Sequence, residues 1–213
     1  MIKMKRIIYL PVIILFFNSC TFFRVLKIVT HEEKNESTEE VNSFLKKRGY
    51  RYDYSFENTD STASLLKSDK YRLTDDSLRY AYIQLRVFHT KGDLYSGYSQ
   101  CIGSFNKRQF IDSFPIKKNT YPFINENLTF ENELDLVDIE PGIRQKVLSD
   151  SKKYKHIYVV YWNIWTGYYS KQVLKEVSKV KAKHPDEVLV ILVNLIKDPI
   201  IPPNEQMSIS GEN

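Results

Sequence analysis

Ile157-Tyr-Val-Val-Tyr-Trp-Asn-Ile-Trp-Thr-Gly-Tyr-Tyr-Ser-Lys171 opens a segment that closes with Val188-Leu-Val-Ile-Leu-Val-Asn-Leu-Ile196. Both ends are β-branched, nearly uninterrupted apolar runs, the pattern of strands covered on both faces. Between them Val173, Leu174, Val177 and Val180 recur at helical spacing, and Lys171, Lys175, Lys179, Lys181 and Lys183 are expected to face water. His184-Pro185-Asp186 ends that helix, because the residue before a proline is pushed out of the α region. At the other end Thr166 is the expected N-cap. The segment therefore reads as a βαβ unit with a parallel strand pair, and it sets the fold class as α/β.

Upstream, Ser37-x-x-Glu40 fits a capping box, Val41, Phe44 and Leu45 share one helix face, and Gly49 suits the left-handed position that closes a helix. Tyr50 to Glu57 alternates strictly, so Tyr50, Tyr52, Tyr54 and Phe56 are expected on one side of a strand. An aromatic row of this kind can be a ligand platform, but it is read here as the buried face of a half-exposed sheet. From Arg79 to His89, Ala81, Ile83, Leu85 and Val87 face one way, and Tyr80, Tyr82, Gln84, Arg86 and Phe88 the other. Thr90-Lys-Gly-Asp93 is a turn signal and Leu94 to Ile102 the return strand, giving an antiparallel hairpin over 79–103. The aromatics between Asn106 and Glu140, followed by a run of acids, read as a loop packed over a sheet end. Pro141 then opens a short helix with Ile143, Val147 and Leu148 as its apolar positions.

Charge excludes one class of partner. The chain carries 31 basic residues; without Lys3, Lys5 and Arg6 of the leader, 28 stand against 26 acidic ones, a net of +2. No Lys/Arg cluster with interleaved aromatics argues for nucleic acid. The two cysteines, Cys20 and Cys101, form no metal motif with the four histidines, and an internal disulfide is not expected.

Residues 1–20 run from a basic start through an apolar stretch, Ile7 to Phe17, to Asn18-Ser19-Cys20. That stretch is too short to span a bilayer core of roughly 30 Å as a helix. It resembles a bacterial lipoprotein signal, with Phe17-Asn18-Ser19-Cys20 a loose form of the family's Leu-Ala-Gly-Cys pattern. The resemblance implies cleavage before Cys20 and acylation of its sulfur and new amine. Alternatives are an ordinary cleaved signal, or an uncleaved anchor reaching Val29, which Arg24 and Lys27 disfavour. Thr21 to Val29 is apolar with basic spacing where lipoproteins usually carry a polar tether, and is expected on the membrane surface or against the domain.

Tyr161-Trp-Asn-Ile-Trp-Thr-Gly-Tyr-Tyr-Ser-Lys171 is similar to the active-site segment of thioredoxin-like proteins, in which a strand runs into Trp-Cys-Gly-Pro-Cys and a helix. Trp165 and Gly167 match that motif. Thr166 stands where the nucleophilic cysteine belongs, Tyr168 replaces the proline, and Tyr169 stands at the resolving cysteine. Thioredoxin chemistry needs a thiolate at a helix N-terminus and a second thiol to resolve the mixed disulfide. A threonine hydroxyl is not acidic enough to ionise there near neutral pH, and a tyrosine cannot resolve a mixed disulfide. The family's fold also continues with a hairpin and a last helix, whereas here Lys197-Asp-Pro-Ile-Ile-Pro-Pro-Asn204 leads to a polar tail. Either residues 79–103 supply the hairpin from upstream, in a rearranged relative, or the domain is a different α/β sandwich that shares only a βαβ unit.

These readings combine into a signal peptide over 1–19, a membrane-proximal segment and linker over 20–36, one α/β domain over 37–204 and a tail over 205–213. The expected function is a lipid-anchored envelope protein, located at the outer membrane, with a redox-inactive thioredoxin-like domain that binds or scaffolds. Its partners are the membrane, through lipidated Cys20, and a protein of the envelope; no cofactor and no metal is expected. The candidate binding surface is Trp162, Trp165, Thr166, Gly167, Tyr168 and Tyr169, at the strand ends where open parallel sheets place ligands. The same aromatics could instead simply cap the sheet. The rival class is an accessory thiol–disulfide oxidoreductase acting through Cys101 and a partner's thiol. Asp150, His156 and Ser170 could be assembled into a hydrolytic triad, but no nucleophile elbow supports one.

Overall fold

The structure is a computed structural model that describes residues 36–58, 83–90, 92–99, 128–137 and 139–195, together with positions 62, 65, 66, 68 and 70–73. Cys20, Cys101 and the lipoprotein-like leader lie outside the described residues. In chain order the described elements are α1 (Thr38–Arg48), β1 (Tyr54–Asn58), β2 (Gln84–His89), β3 (Leu94–Ser99), α2 (Phe130–Leu134), α3 (Pro141–Ser151), β4 (His156–Trp162), α4 (Tyr168–Lys183) and β5 (Val188–Leu195).

The βαβ unit forms as its period dictates. β4 and β5 are parallel, with Val159 opposite Ile191 and Trp162 opposite Asn194. They sit at the centre of a mixed five-stranded sheet ordered β1-β5-β4-β2-β3. β1 joins β5 in parallel, and the β2–β3 hairpin joins β4 antiparallel. The upstream hairpin thus does enter the sheet, on the free side of β4 rather than beside β5. Gly92 takes the positive φ of 90° that its tight turn requires.

Both faces of β4 and β5 are covered, which is why these strands lack the alternation of a half-exposed sheet. On one face α1 and α4 lay Val41, Leu45, Val173, Leu174, Val177 and Val180 against Leu85, Val87, Tyr158, Val160, Trp162 and Val190. On the other, α2 and α3 bring Phe130, Leu134 and Val147 against Phe88, Ile157, Val159, Tyr161, Ile191 and Val193. The result is a three-layered α/β/α sandwich.

α1 keeps both ends that its sequence specifies. Ser37 Oγ accepts from the Glu40 N–H at 3.2 Å, the Glu40 carboxylate accepts from the Ser37 N–H at 3.1 Å, and Gly49 closes the helix at φ 61°.

Four expectations are corrected. The aromatic row Tyr50, Tyr52, Tyr54, Phe56 is split: Tyr50 and Tyr52 pack with the α1–α4 layer, Tyr54 and Phe56 with the α2–α3 layer. The strand begins only at Tyr54, so the period of two does not extend back to Tyr50. Ile143 is exposed rather than buried, as α3 rests chiefly on Val147 and Leu148. Lys181 does not face water: its Nζ lies 2.8 Å from Asp53 Oδ2 and 4.7 Å from the Tyr154 ring centre, and donates to the Pro185 and Val188 carbonyls. Glu133, expected in a loop of acids, is fully buried on α2.

Candidate functional site

The turn that leaves β4 is built by its own polar side chains. Asn163 Oδ1 accepts from the Thr166 N–H at 3.0 Å, and the Ile164 carbonyl accepts from the Gly167 N–H at 2.9 Å. Thr166 Oγ1 donates either to the Asn163 carbonyl at 3.2 Å or into a 2.6 Å contact with Ser170 Oγ, which also accepts from the Asn163 N–H. Gly167, not Thr166, is the N-cap of α4; it has φ 60° and ψ −112° and makes no side-chain cap bond. That conformation favours glycine, because a Cβ would crowd the backbone at positive φ. Thr166 is therefore one residue early: its hydroxyl braces the turn instead of capping the helix.

The candidate aromatic surface is mostly interior. Trp162 is fully buried and stacks on Phe44 at 5.5 Å. Trp165 and Thr166 are buried as well, and Tyr169 packs against the α1–α4 core. Only Tyr168, 53% exposed, presents its ring to solvent, set edge-on to Tyr169. These aromatics chiefly close the sheet end, and Tyr168 is what remains of the proposed surface.

A residue that the sequence pattern does not single out completes the site. Glu36, only 6% exposed, reaches in from just before α1. Its Oε1 accepts from the consecutive Ile164 and Trp165 N–H groups at 2.6 and 2.8 Å, and its Oε2 from Asn194 Nδ2 at 2.9 Å. No cationic side chain among the described residues forms an ion pair with it. Burial therefore pushes its carboxyl above the usual carboxylate range, outweighing the three donors. Asn163 Nδ2 and Asn194 Oδ1, both in fully buried residues, find no hydrogen-bond partner among the described residues. The only sequence signal for this was Asn194, the one polar residue in an apolar strand.

A second buried polar cluster lies on the opposite face. Arg86 Nη1 and Glu133 Oε2 pair at 2.8 Å with neither side chain exposed. Arg86 also donates to Gln84 Oε1 and the Tyr71 carbonyl, and the Tyr161 hydroxyl donates to Glu133 Oε1 at 2.5 Å. Burial and the Glu133 charge both hold the Tyr161 hydroxyl well above the normal phenol range, so it stays a donor.

The suggested triad is not assembled. Asp150, on α3, is bound by Lys146, Lys153 and Tyr54, His156 lies at the start of β4 beside His89, and Ser170 is beyond its far end. Six residues of strand separate His156 from the turn, roughly 20 Å at the ordinary rise. Among the described residues no three His, Cys, Asp or Glu side chains form a metal-binding group, and no helix is long and apolar enough to cross a membrane.

Fold and site together define an α/β sandwich with a mixed five-stranded sheet and a polar, largely closed turn at the C-terminal ends of its central parallel strands. Compared with known protein families, curated proteins and solved structures, the chain matches none of them.

Proposed function

We propose that this protein is a lipid-anchored envelope protein whose α/β domain is a rearranged, redox-inactive relative of thioredoxin that binds or scaffolds. The observation that carries the reading is the position of the β2–β3 hairpin. It lies antiparallel along β4, so the βαβ unit has a hairpin beside its first strand, supplied from upstream in the chain. The substituted motif supports the loss of redox chemistry. Thr166 begins the turn before α4 with its hydroxyl committed to Ser170 and Asn163, and Tyr169 occupies the second cysteine position. Binding falls to the C-terminal ends of β4 and β5, where Tyr168 is exposed. The lipid anchor rests on the Phe17-Asn-Ser-Cys20 pattern alone.

Two measurements test the reading. The full chain should show no turnover in insulin reduction with dithiothreitol as reductant; turnover that disappears in Cys101→Ser would install the oxidoreductase in its place. Cys20→Ala should abolish labelling with radioactive palmitate and release the protein from the membrane fraction. Labelling that persists in the variant would remove the anchor.

A further inference from the structure

Glu36 presents an unusual economy. Among the described residues its buried carboxylate meets no counter-charge and is held by two backbone N–H groups and one amide. Its desolvation opposes what those bonds return. What surrounds it is a preformed receptor for a planar, two-oxygen anion. Adjacent N–H groups of Ile164 and Trp165 converge on one oxygen, and the Asn194 amide meets the other. The same Asn194 amide has its Oδ1 unpartnered beside that carboxylate, and Asn163, whose Nδ2 is also unpartnered, immediately precedes the two N–H donors. Buried amide atoms are rarely left without partners.

We propose that this cradle is a carboxylate-binding site and that Glu36 is its intramolecular occupant, displaced when a ligand carboxylate enters. The inference rests on the reading of this sheet end as the binding end, and it names the ligand class. A monoanionic carboxylate fits because the donors are neutral; a phosphate dianion would be buried with no cation among the described residues to balance it. The unpartnered amide atoms receive what a bare carboxylate does not use, such as the N–H or carbonyl of a peptide group next to a C-terminal carboxylate. Glu36 sits immediately ahead of Ser37, the N-cap of α1, so its release frees the entry to that helix without disturbing the capping box.

The test uses the full chain in detergent micelles, ¹⁵N-labelled, as wild type, Glu36→Ala and Glu36→Gln. The probes are sodium acetate, acetyl-triglycine with a free C-terminus, and the same peptide amidated, each against sodium chloride at equal ionic strength. Saturable movement of the Ile164 and Trp165 amide signals is expected in Glu36→Ala. In wild type the apparent affinity should be about tenfold weaker or worse, because a tethered competitor acts at a high effective concentration. Glu36→Gln, whose amide oxygen still fills the cradle, should respond no more than wild type. Equal affinity for acetate and the free peptide assigns the site to small carboxylates. A tenfold preference for the free peptide over both acetate and its amide assigns it to polypeptide termini. No movement in Glu36→Ala, or equal movement in all three proteins, overturns the proposal. A Glu36→Ala protein that folds in acetate but not in chloride supports it. One that folds in neither overturns it, since an exchangeable occupant cannot be indispensable to folding. Failure here leaves the redox-inactive reading standing, because insulin reduction is read independently of the cradle.

Discussion

Two buried carboxylates, Glu133 and Glu36, solve the same physical problem in opposite ways. Glu133 is neutralised by a guanidinium and accepts from a phenol, where α2 packs on one face of the sheet. Among the described residues Glu36 has only neutral donors, and it lies at the turn beyond the C-terminal end of β4. In the first arrangement the charge is paired, although Gln84 Nε2 in the same cluster has no partner among the described residues; removing Arg86 or Glu133 strands the other's charge. The second also leaves amide atoms unpartnered, and its carboxylate meets no cation among the described residues. The pairing of the charge, not the state of the neighbouring amides, separates the two clusters.

The largest effect should come from breaking the closed pair. Arg86→Ala or Glu133→Ala is expected to destabilise the protein by about 3–5 kcal/mol, because the remaining charge is left buried and alone. Replacing both at once, as Arg86→Met with Glu133→Leu, should recover most of that loss in urea denaturation. A double variant as unstable as the singles would show that the charges themselves are needed.

The Glu36 side of the comparison is sharpened by pH. Its folded-state carboxyl is raised above the unfolded value of 4.5, so the folded chain holds that proton more tightly. The resulting stabilisation is fully present below pH 4.5 and is lost as pH rises through the folded-state value. Relative to Glu36→Gln, wild-type stability should therefore fall over that interval; a difference that grows with pH would reverse the sign and contradict an uncompensated anion.

His156 should tilt the acid limb the other way. Burial, then the neighbouring His89, lowers its imidazole below the usual 6.5. Its contribution is present above pH 6.5 and is lost as pH falls from there through the folded-state value. Melting temperatures between pH 5 and 8 should vary less in His156→Asn than in wild type.

Smaller still, Ser37→Ala removes half of an exposed capping box and should cost about 1 kcal/mol. Tyr168→Ala, at an exposed ring, should stay within about 0.5 kcal/mol of wild type. A larger loss from Tyr168 would mean that it caps the sheet and is no surface at all.

Much of the frame could be read from local pattern. Helical period and unbroken apolar runs are properties of consecutive residues, so α1, α4, β4 and β5 were legible to within a residue or two, whereas the strand expected from Arg79 is described only from Gln84. Ser37, Glu40 and Gly49 declared the ends of α1 because capping is settled within one turn. The site was less legible. Aromatics at a sheet end suit either a surface or a cap, so Trp162 and Trp165 stayed open to both roles until the fold buried them, with Phe44, from another element, stacked on Trp162. Tyr50 and Tyr52 followed the alternation of Tyr54 and Phe56 in sequence but not in space, since a strand's period holds only where hydrogen bonds to a neighbour impose it.

Composition and periodicity settled that this chain makes a βαβ core with both faces covered, and the residues at its turn settled that no dithiol lies there; each is a property of neighbours along the backbone. Long-range meetings settled the rest. Arg86 finds Glu133 across 47 positions and Glu36 finds Ile164 across 128. Polar pairs so far apart leave no periodic trace, because what joins them is the cost of leaving a buried charge unmet, and that cost exists only once the sheet has closed over it.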